Sequence, residues 1–280
     1  MELSLIKRIE NIYPSLGNSS KKIADYLTQS QVEIPVSIRK LSDSSQVSVA
    51  TISRFIRQLG YQNYSEFKWN FANQINIKDF SDVAITEGDS PMIIAKKTLD
   101  ENIATLNGTF ELMQDSDLRK ARDLIVNANK LAFFGLGGSN IVALDAYHKF
   151  LRVPLTLVHD SEYHLALMQA TRLSKNDCAI VISHTGTDVD TLAIAQALQE
   201  NQVPMIIITS FPKSPLAAFG EVKFFSISED FQYRSEALIS LTSQIAINDC
   251  LYMLVAQYFG NKADQVLQGI RKTISKKHPK

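Results

Sequence analysis

The spacing of apolar residues changes near residue 77 and divides the chain into two kinds of sequence. Residues 1–77 place apolar side chains at helical spacing, as at Ile23, Tyr26 and Leu27, and contain almost no run typical of a strand. Residues 78–92 are polar and predict a linker. Residues 93–113 predict a long connecting helix. The first part of the chain is therefore expected to be an all-α domain.

Beyond residue 114, short apolar runs alternate with longer helical stretches. The predicted strands are residues 131–134, 155–158, 179–182, 205–209 and 222–227, and the predicted helices lie around 140–151, 162–173, 188–200 and 235–259. Strands that alternate with helices of ten or more residues predict a parallel sheet with helices on both faces. The expected architecture is an all-α domain at 1–77, a linker and connecting helix at 78–113, and an α/β domain with a five-stranded parallel sheet at 114–280.

A two-helix pattern stands out between residues 38 and 60. A short helix marked by Ile38 and Leu41 is followed by a polar link and by Ser48, which can cap a second helix. One face of that second helix is apolar, and its other face is small, polar and basic; the two sets are Ile52, Phe55, Ile56 and Leu59, and Ala50, Ser53, Arg54 and Arg57. This pattern predicts a helix-turn-helix motif.

The charge distribution agrees with a nucleic-acid partner for the first part. The whole chain has 29 Lys and Arg residues and 29 Asp and Glu residues. Residues 1–77 contain nine basic and six acidic residues, a net charge of +3, so the remainder carries −3. A basic reader domain joined to an acidic domain is one interpretation. A helical bundle with an ordinary solvated face is the other.

Two polar turns follow predicted strands in the second part. Gly135, Gly137 and Gly138 come after the strand at 131–134, and a glycine-rich turn at a helix N-terminus can bind a phosphate. Residues 183–188 follow the strand at 179–182 and place three hydroxyls around Gly186. Ligands gather at the carboxyl ends of parallel strands. The turns predict one small phosphorylated ligand, although any tight strand-to-helix turn also favours glycine.

A dinucleotide-binding fold is the main rival for these turns. Asp160 lies after the next strand, roughly where an acid that binds a ribose would fall. Asn140 replaces the third glycine of that fingerprint, and the fold has no need of the second polar turn. A nicotinamide-dependent sensor therefore stays open as an alternative.

The N-terminal motif resembles a known family of regulators. Residues 21–27, 38–41, 46–55, 59–61 and 64–68 closely resemble the DNA-binding domain of RpiR-type bacterial transcriptional regulators. The resemblance implies contacts with an operator in double-stranded DNA. The candidate DNA-binding residues are Ser48, Ala50, Thr51, Ser53, Arg54 and Arg57. One departure is Gln46, which occupies a turn position that such motifs usually fill with glycine.

The second domain resembles the usual partner of that reader, the sugar-isomerase (SIS) domain. The resemblance is carried by residues 135–145, 167–170, 183–186 and 234–236. It implies an αβα sandwich that binds a phosphosugar, with Glu236 contacting the sugar. The candidate effector-binding residues are Gly137, Ser139, Ser183, Thr185, Gly186, Thr187 and Glu236.

This second domain also departs from the family pattern. The second turn usually ends in threonine where this chain has Asp188, and a carboxylate beside a phosphate is repulsive. Either Asp188 points away and Thr187 replaces the usual residue, or the ligand is less anionic than a phosphomonoester. Glu236 also has a simpler interpretation, because the first turn of a helix favours an acid.

These observations lead to one functional prediction. The chain is expected to be a cytoplasmic regulator of carbohydrate metabolism, a homodimer or homotetramer, with no catalytic residue, no cofactor, no metal and no membrane segment. Cys178 and Cys250 lie in apolar runs and are expected to be buried, and the basic tail from Arg271 onwards is expected to fray. The alternative is a sugar-phosphate aldose–ketose isomerase that uses Glu236 as its base, with His164 or His184 as a second proton-handling group.

Overall fold

The computed structural model describes residues 8–9, 12–28, 38–61, 64, 67–68, 85–86, 88–227 and 236–275. The chain divides into two compact units, Met1–Gln114 and Asp115–Lys280. Each unit has its own hydrophobic core, and each is described by itself.

The N-terminal unit is helical throughout its described residues. A 3₁₀ turn at Tyr13–Ser15 precedes α1 (Asn18–Thr28), α2 (Ile38–Ser45), α3 (Val49–Gln58) and the long α4 (Pro91–Leu112). Ser90 caps α4 by accepting a hydrogen bond from the Ile93 amide. One apolar cluster holds the helices together; its buried members are Ile9, Leu16, Ile23, Ala24, Leu27, Leu41, Ile52, Phe55, Ile56, Leu59, Tyr61 and Phe67. The predicted all-α region is confirmed.

Two basic residues of this unit serve the fold. The Arg8 guanidinium donates hydrogen bonds to the Leu59 carbonyl and to the Tyr61 hydroxyl, and it lies 5.1 Å from the centre of the Tyr61 ring. Lys68 is fully buried, and burial lowers the pKa of its amine to about 8, although the negative charge of Glu111 acts in the opposite direction. Both residues count towards the +3 charge of residues 1–77, but neither is freely presented to a polyanion.

The C-terminal unit is a parallel sheet between two layers of helices. In chain order its elements are α5 (Asp115–Val126), β1 (Lys130–Gly135), α6 (Gly138–Phe150), β2 (Thr156–His159), α7 (Tyr163–Ala170), β3 (Cys178–Ile182), α8 (Val189–Glu200), β4 (Met205–Thr209), a 3₁₀ turn (Leu216–Phe219), β5 (Val222–Phe225), α9 (Glu236–Phe259) and α10 (Asn261–Ser275). The strand order is β2-β1-β3-β4-β5, and every neighbouring pair is parallel. The predicted five-stranded sheet is confirmed, and each strand lies within two residues of its predicted bounds.

Both faces of the sheet are covered because its strands are apolar on both sides. All the residues of β3 and β4 are buried. One face packs on α7 and α8 through residues such as Ala166, Ile194 and Leu198. The other face packs on α6, whose Phe150 contacts Phe133 of β1. A near-continuous apolar strand flanked by helices is what a parallel sheet requires.

Helix α9 runs through the core of this unit and packs against α6 and α5. Its segment Ile239–Phe259 is long and apolar enough to cross a membrane, and 44% of its most apolar window is buried inside the unit. A core helix has the same composition. The buried face of α9 also carries polar side chains, namely Ser240, Ser243, Gln244 and Asn248.

One expectation about the C-terminal unit is wrong, and another is tested only in part. Cys250 is exposed, because the inward face of α9 is formed by the row Ile247, Leu251 and Val255, and Cys250 lies beside that row. The start of the basic tail, residues 271–275, is exposed as expected but is helical, because α10 continues to Ser275. Residues 276–280 lie outside the described part of the chain.

Candidate functional site

The helix-turn-helix consists of α2, a turn at residues 46–48, and α3. Ser48 adopts an extended conformation and its hydroxyl accepts a hydrogen bond from the Thr51 amide at 3.2 Å, which caps α3 as predicted. Val47 packs against the apolar cluster and its amide donates to the Ser42 carbonyl. Gly60 ends α3 with φ of 90°, in the left-handed region that its missing side chain allows.

Gln46 adopts the left-handed conformation that the motif requires. Its φ is 54°, although it has a side chain. This conformation costs a residue other than glycine about 1–2 kcal/mol. The turn therefore keeps its backbone geometry and accepts a penalty, so the departure from the family pattern changes stability rather than shape.

The candidate DNA-binding residues lie on one helix but differ in accessibility. Ala50, Arg54 and Arg57 are exposed, while Thr51 and Ser53 are half-buried. The Ser48 and Thr51 hydroxyls lie 2.9 Å apart and engage each other. The Arg54 guanidinium donates only a long hydrogen bond, 3.4 Å, to the Ala50 carbonyl. The face presented to solvent is therefore small near the start of α3 and basic further along.

The two polar turns of the C-terminal unit meet where β1 and β3 end. β1 lies between β2 and β3 in the sheet. The chain passes from β1 to β2 on one side, and it later adds β3 on the other side of β1. The resulting crevice is the usual ligand site of an open parallel sheet. A cavity of about 310 Å³ opens here; its lining residues are Leu136, Gly137, Gly138, Ser139, Ser183, His184, Thr185, Asp188, Thr191, Ser240 and Leu241.

The first turn offers a helix N-terminus that no side chain caps. Gly137, with φ of 54°, stands at the cap position of α6 and has no side chain to cap it. The Ser139 and Asn140 amides donate to the Leu136 and Gly137 carbonyls at 3.0 and 3.1 Å, so this end is closed by backbone turns and by no side-chain cap. A Cβ atom on Gly135 would lie 2.5 Å from the Ser139 carbonyl oxygen, so the close approach of the turn to α6 requires glycine. Ser139 follows, largely buried and facing the cavity. An uncapped N-terminus attracts anions.

The second turn is held in one conformation by short contacts. The Gly186 amide donates to the Ser183 hydroxyl oxygen at 3.1 Å, which leaves the Ser183 hydroxyl hydrogen to be donated elsewhere. Gly186 has φ of 62°, and a Cβ atom there would lie 2.4 Å from the Ser214 hydroxyl oxygen. Ser183 and Thr185 line the cavity. Gly186 and Thr187 belong to the turn, but they are not among the lining residues.

Asp188 closes the N-terminus of the next helix. One of its carboxylate oxygens accepts hydrogen bonds from the Thr191 amide at 2.9 Å and the Thr191 hydroxyl at 2.7 Å. Asp188 is thus the cap of α8, while it also borders the cavity. The two helices that begin at the cavity differ: α6 has no side-chain cap, and α8 is capped by a carboxylate of the chain.

A buried polar chain fixes the floor of the cavity. His184 Nδ1 lies 2.9 Å from the Ser210 hydroxyl oxygen, which lies 2.7 Å from that of Ser226. The Gln244 amide donates to Ser226 at 3.4 Å. The Ser210 amide in turn donates to the His184 carbonyl. These bonds tie the second turn to β4, β5 and α9.

Some cavity residues were not predicted from the sequence. Ser240 and Leu241 reach the cavity from α9, more than 50 residues along the chain from the second turn. Glu236 is the first residue of α9, one helical turn before Ser240. That spacing of four residues is the signal that could have identified Ser240. His164, proposed as a second proton-handling group, is exposed on α7 and does not line the cavity.

A larger cleft of about 760 Å³ lies at the opposite edge of the sheet. It is open and bordered by Asn129, Asn176 and Pro204, which precede β1, β3 and β4. None of the predicted site residues borders it. Within the residues that the structure describes, no group of three His, Cys, Asp or Glu side chains is arranged to hold a metal ion.

Comparisons with known proteins match both units. Residues 3–78 match the helix-turn-helix domain of the rpiR family, and residues 124–254 match the SIS domain. The transcriptional regulator HexR of Pseudomonas aeruginosa is 31% identical over 216 residues, which cover 76% of this chain and 75% of that protein. HexR of Escherichia coli is 30% identical over 252 residues, covering 89% of this chain and 86% of that protein.

Solved structures share the fold. The NanR protein of Vibrio vulnificus, complexed with ManNAc-6P, aligns over 97% of this chain and 98% of its own, with a TM-score of 0.61 and 20% identity. The sugar isomerase domain of an RpiR transcription factor from Sphaerobacter thermophilus aligns over 62% of this chain and 96% of its own, with a TM-score of 0.58 and 21% identity. At these identities the likeness concerns the fold.

The left-handed Gln46 generates a stability prediction. Gln46→Gly should raise the free energy of unfolding of the N-terminal unit by about 1 kcal/mol, because the relieved strain exceeds the added entropy of the unfolded chain. Ser44→Gly, two residues earlier and exposed in α2, should lower it by about 0.5 kcal/mol. Urea unfolding followed by the fluorescence of Trp69, the one tryptophan of the sequence, measures both. Equal destabilisation by the two changes would contradict the assigned turn.

Proposed function

Because the chain belongs to the RpiR family of helix-turn-helix transcriptional regulators, we propose that it binds operator DNA through α3 and a phosphosugar effector in the cavity between β1 and β3. Residues 1–77 serve as the reader, residues 78–113 connect, and residues 114–280 sense the effector. Such a regulator acts in the cytoplasm, where its DNA is.

The observation that carries the proposal is the convergence of donors at one end of the cavity. The N-terminus of α6 and the Ser183 hydroxyl both face the cavity of about 310 Å³. The Ser183 hydroxyl still has a hydrogen to donate. Ser139 and Thr185 add two more hydroxyls. Donors from two turns around an uncapped helix N-terminus suit the three oxygens of a phosphate ester.

Asp188 is compatible with this assignment because its carboxylate already accepts hydrogen bonds from the protein. Its carboxylate satisfies the amide and the hydroxyl of Thr191 at the start of α8. The effector's phosphate therefore belongs at α6, and Asp188 closes the other helix N-terminus against it. The proposed ligand is a phosphomonoester, as in the first of the two alternatives raised by the sequence, although Asp188 borders the cavity and does not point away from it. Thr187 does not take over the family threonine's place in the cavity lining.

The sugar of the effector extends from the phosphate towards α9. Ser240 and Leu241 form that side of the cavity, and Glu236 begins the same helix one turn earlier. The family resemblance gives Glu236 a contact with the sugar. NanR of V. vulnificus, which shares the fold, is complexed with ManNAc-6P, a sugar phosphate. That complex supports the ligand class for this chain.

The DNA half of the proposal follows from the face of α3. Small residues at the start of the helix, such as Ala50, let the backbone approach a major groove, and Arg54 and Arg57 then reach a phosphate or a guanine edge. Two copies of the reader are needed to read two half-sites. Effector binding changes the spacing of the readers, so the affinities for DNA and for effector are reciprocally coupled, typically by 1–3 kcal/mol.

Arg54→Ala and Arg57→Ala should each weaken binding to an operator obtained by in vitro selection. Loss of a phosphate contact lowers the salt dependence of the affinity by about one unit, and loss of a guanine contact costs about 1–3 kcal/mol. Fluorescence anisotropy over a range of salt concentrations measures both. Arg271→Ala, an exposed change on α10, is the control. Parental affinity in both α3 variants would remove the recognition-helix assignment.

Ser183→Ala should weaken effector binding roughly tenfold or more, because it removes a hydrogen bond to a charged group. The effector is first chosen by thermal shift from a panel of phosphosugars and dinucleotides, and the affinity is then measured by calorimetry. Ser275→Ala, on the surface of α10, should leave it unchanged. Operator binding without effector should stay at the parental level in both variants.

Asp188→Thr belongs to the same experiment, because threonine can also cap α8. Affinity for a phosphosugar should stay the same or rise slightly, since a nearby negative charge is removed. If the Asp188→Thr variant instead bound the native effector more weakly and bound phosphosugars more tightly, the pocket would be built for a less anionic ligand. Unaltered affinity in Ser183→Ala would contradict the phosphate site.

The alternative function is a sugar-phosphate isomerase, and the structure offers little support for its catalytic groups. Isomerisation needs a second proton-handling group besides Glu236. His164 is outside the cavity lining, and His184 is held against Ser210. Purified protein incubated with common aldose and ketose phosphates should therefore leave them unchanged, as followed by NMR. Steady turnover that Glu236→Gln abolishes would overturn the proposal of a regulator without catalysis.

A further inference from the structure

The first turn of α3 presents apolar side chains on the face proposed to meet DNA. Val49 is the first residue of α3 and is 38% exposed, and Ala50 beside it is also exposed. Neither belongs to the apolar cluster that holds the helices of this unit together, although Val47, two residues earlier, packs on that cluster. A single exposed valine needs no explanation on an ordinary surface. Val49, however, stands where the helix is expected to meet the bases.

The polar side chains of the same turn are engaged within the chain. The Ser48 hydroxyl oxygen accepts a hydrogen bond from the Thr51 amide at 3.2 Å. The Ser48 and Thr51 hydroxyl oxygens lie 2.9 Å apart, so one of the two hydroxyls donates to the other. The side chains of Val49 and Ala50 have no donor or acceptor. Any contact that these two side chains make with a base edge is therefore apolar.

The major groove offers one apolar group to such a surface. Each base pair displays donors and acceptors there, and a T·A pair adds the C5-methyl group of thymine. In a helix-turn-helix, the N-terminal residues of the second helix contact the base edges. A valine at that position is complementary to a methyl group, whereas it would leave a purely polar base edge without a partner.

We propose that Val49 contacts the C5-methyl group of a thymine in the operator, and that this contact selects a T·A pair at one position of each half-site. The small side chain of Ala50 leaves room for the close approach. The inference rests on the proposed function, because it needs α3 in the major groove. Arg54 and Arg57 can act through phosphates, which carry no sequence information, whereas Val49 distinguishes one base pair from another.

The size of the effect follows from the burial of one methyl group. Removal of a methyl group from a buried apolar contact lowers an affinity about fourfold. An operator with two half-sites makes the contact twice. The loss over the whole operator is therefore expected to be roughly tenfold.

The first test removes the methyl group from the DNA. In an operator obtained by in vitro selection, each T·A pair is replaced in turn by U·A in both half-sites. Uracil keeps the pairing and every hydrogen-bonding group of thymine and lacks only the methyl group. One of these replacements should weaken binding of the parent protein roughly tenfold in fluorescence anisotropy, and it should weaken binding of Val49→Ala by no more than about twofold.

Val189→Ala is the matched control for this test. Val189 is the first residue of α8, as Val49 is of α3, and it is 78% exposed. This variant should distinguish thymine from uracil as the parent protein does. Circular dichroism checks that both variants keep their helix content, which alanine favours.

The second test looks for a new preference rather than a loss. A glutamine side chain can bond the N6 and N7 atoms of adenine in the major groove. In vitro selection repeated with Val49→Gln should no longer enrich thymine at the position that the uracil replacements identify, and the other positions of the operator should stay the same. This result does not depend on the absolute affinity of the variant.

The outcomes separate this inference from the proposed function. If no uracil replacement weakens binding while Arg54→Ala does, the thymine contact is wrong and the DNA-binding proposal stands. If Val49→Ala still distinguishes thymine from uracil as the parent protein does, another residue makes the methyl contact and the inference is wrong. If the parent protein selects no operator, the DNA-binding proposal and this inference fail together.

Discussion

The adjacency of β1 and β3 in the parallel sheet is the constraint on which the proposed effector site depends. Because β2 lies on the other side of β1, the chain leaves the sheet in opposite directions after β1 and β3, and a crevice opens between the two turns. The strand order alone brings the two turns together, whereas the wall formed by α9 depends on the path of that helix. Each turn is tight enough to require glycine, because a Cβ atom on Gly135 would collide with the Ser139 carbonyl of α6 and one on Gly186 would collide with the Ser214 side chain.

In the proposed effector site, the two helix N-termini that border the crevice differ in how they are capped, and this difference selects where an anion binds. Both α6 and α8 begin there, and both carry the partial positive charge of a helix start. Gly137 gives α6 no side-chain cap, whereas Asp188 satisfies α8 from within the chain. An anionic ligand is thus directed to one end of the cavity. The remaining wall, from α9, is free to recognise the rest of the molecule.

Local sequence signals predicted the helices and strands well, because the spacing of apolar residues along the chain indicates each of them. The five strands, the Ser48 cap and the left-handed turn at Gln46 all follow from residues within a few positions of each other. The resemblance to RpiR-type regulators was confirmed by the comparisons.

Features that depend on distant contacts were missed. Nothing near Arg8 indicates that it bonds Leu59, some 50 residues away, and Lys68 carries no local sign of its burial. Ser240 enters the cavity only through the path of α9 across the sheet. The same limit explains Cys250, since an apolar run on a helix does not tell which side faces the core.

The most direct test of the central claim is to ask whether both turns bind one anion. Amide chemical shifts of the ¹⁵N-labelled full chain can be followed while inorganic phosphate is added, with chloride at the same ionic strength as the control. The account predicts that the amides of Gly138 and Ser139 and those of Thr185 and Gly186 shift together along one saturating curve. Shifts confined to one turn, or equal shifts with chloride, would contradict a shared phosphate site.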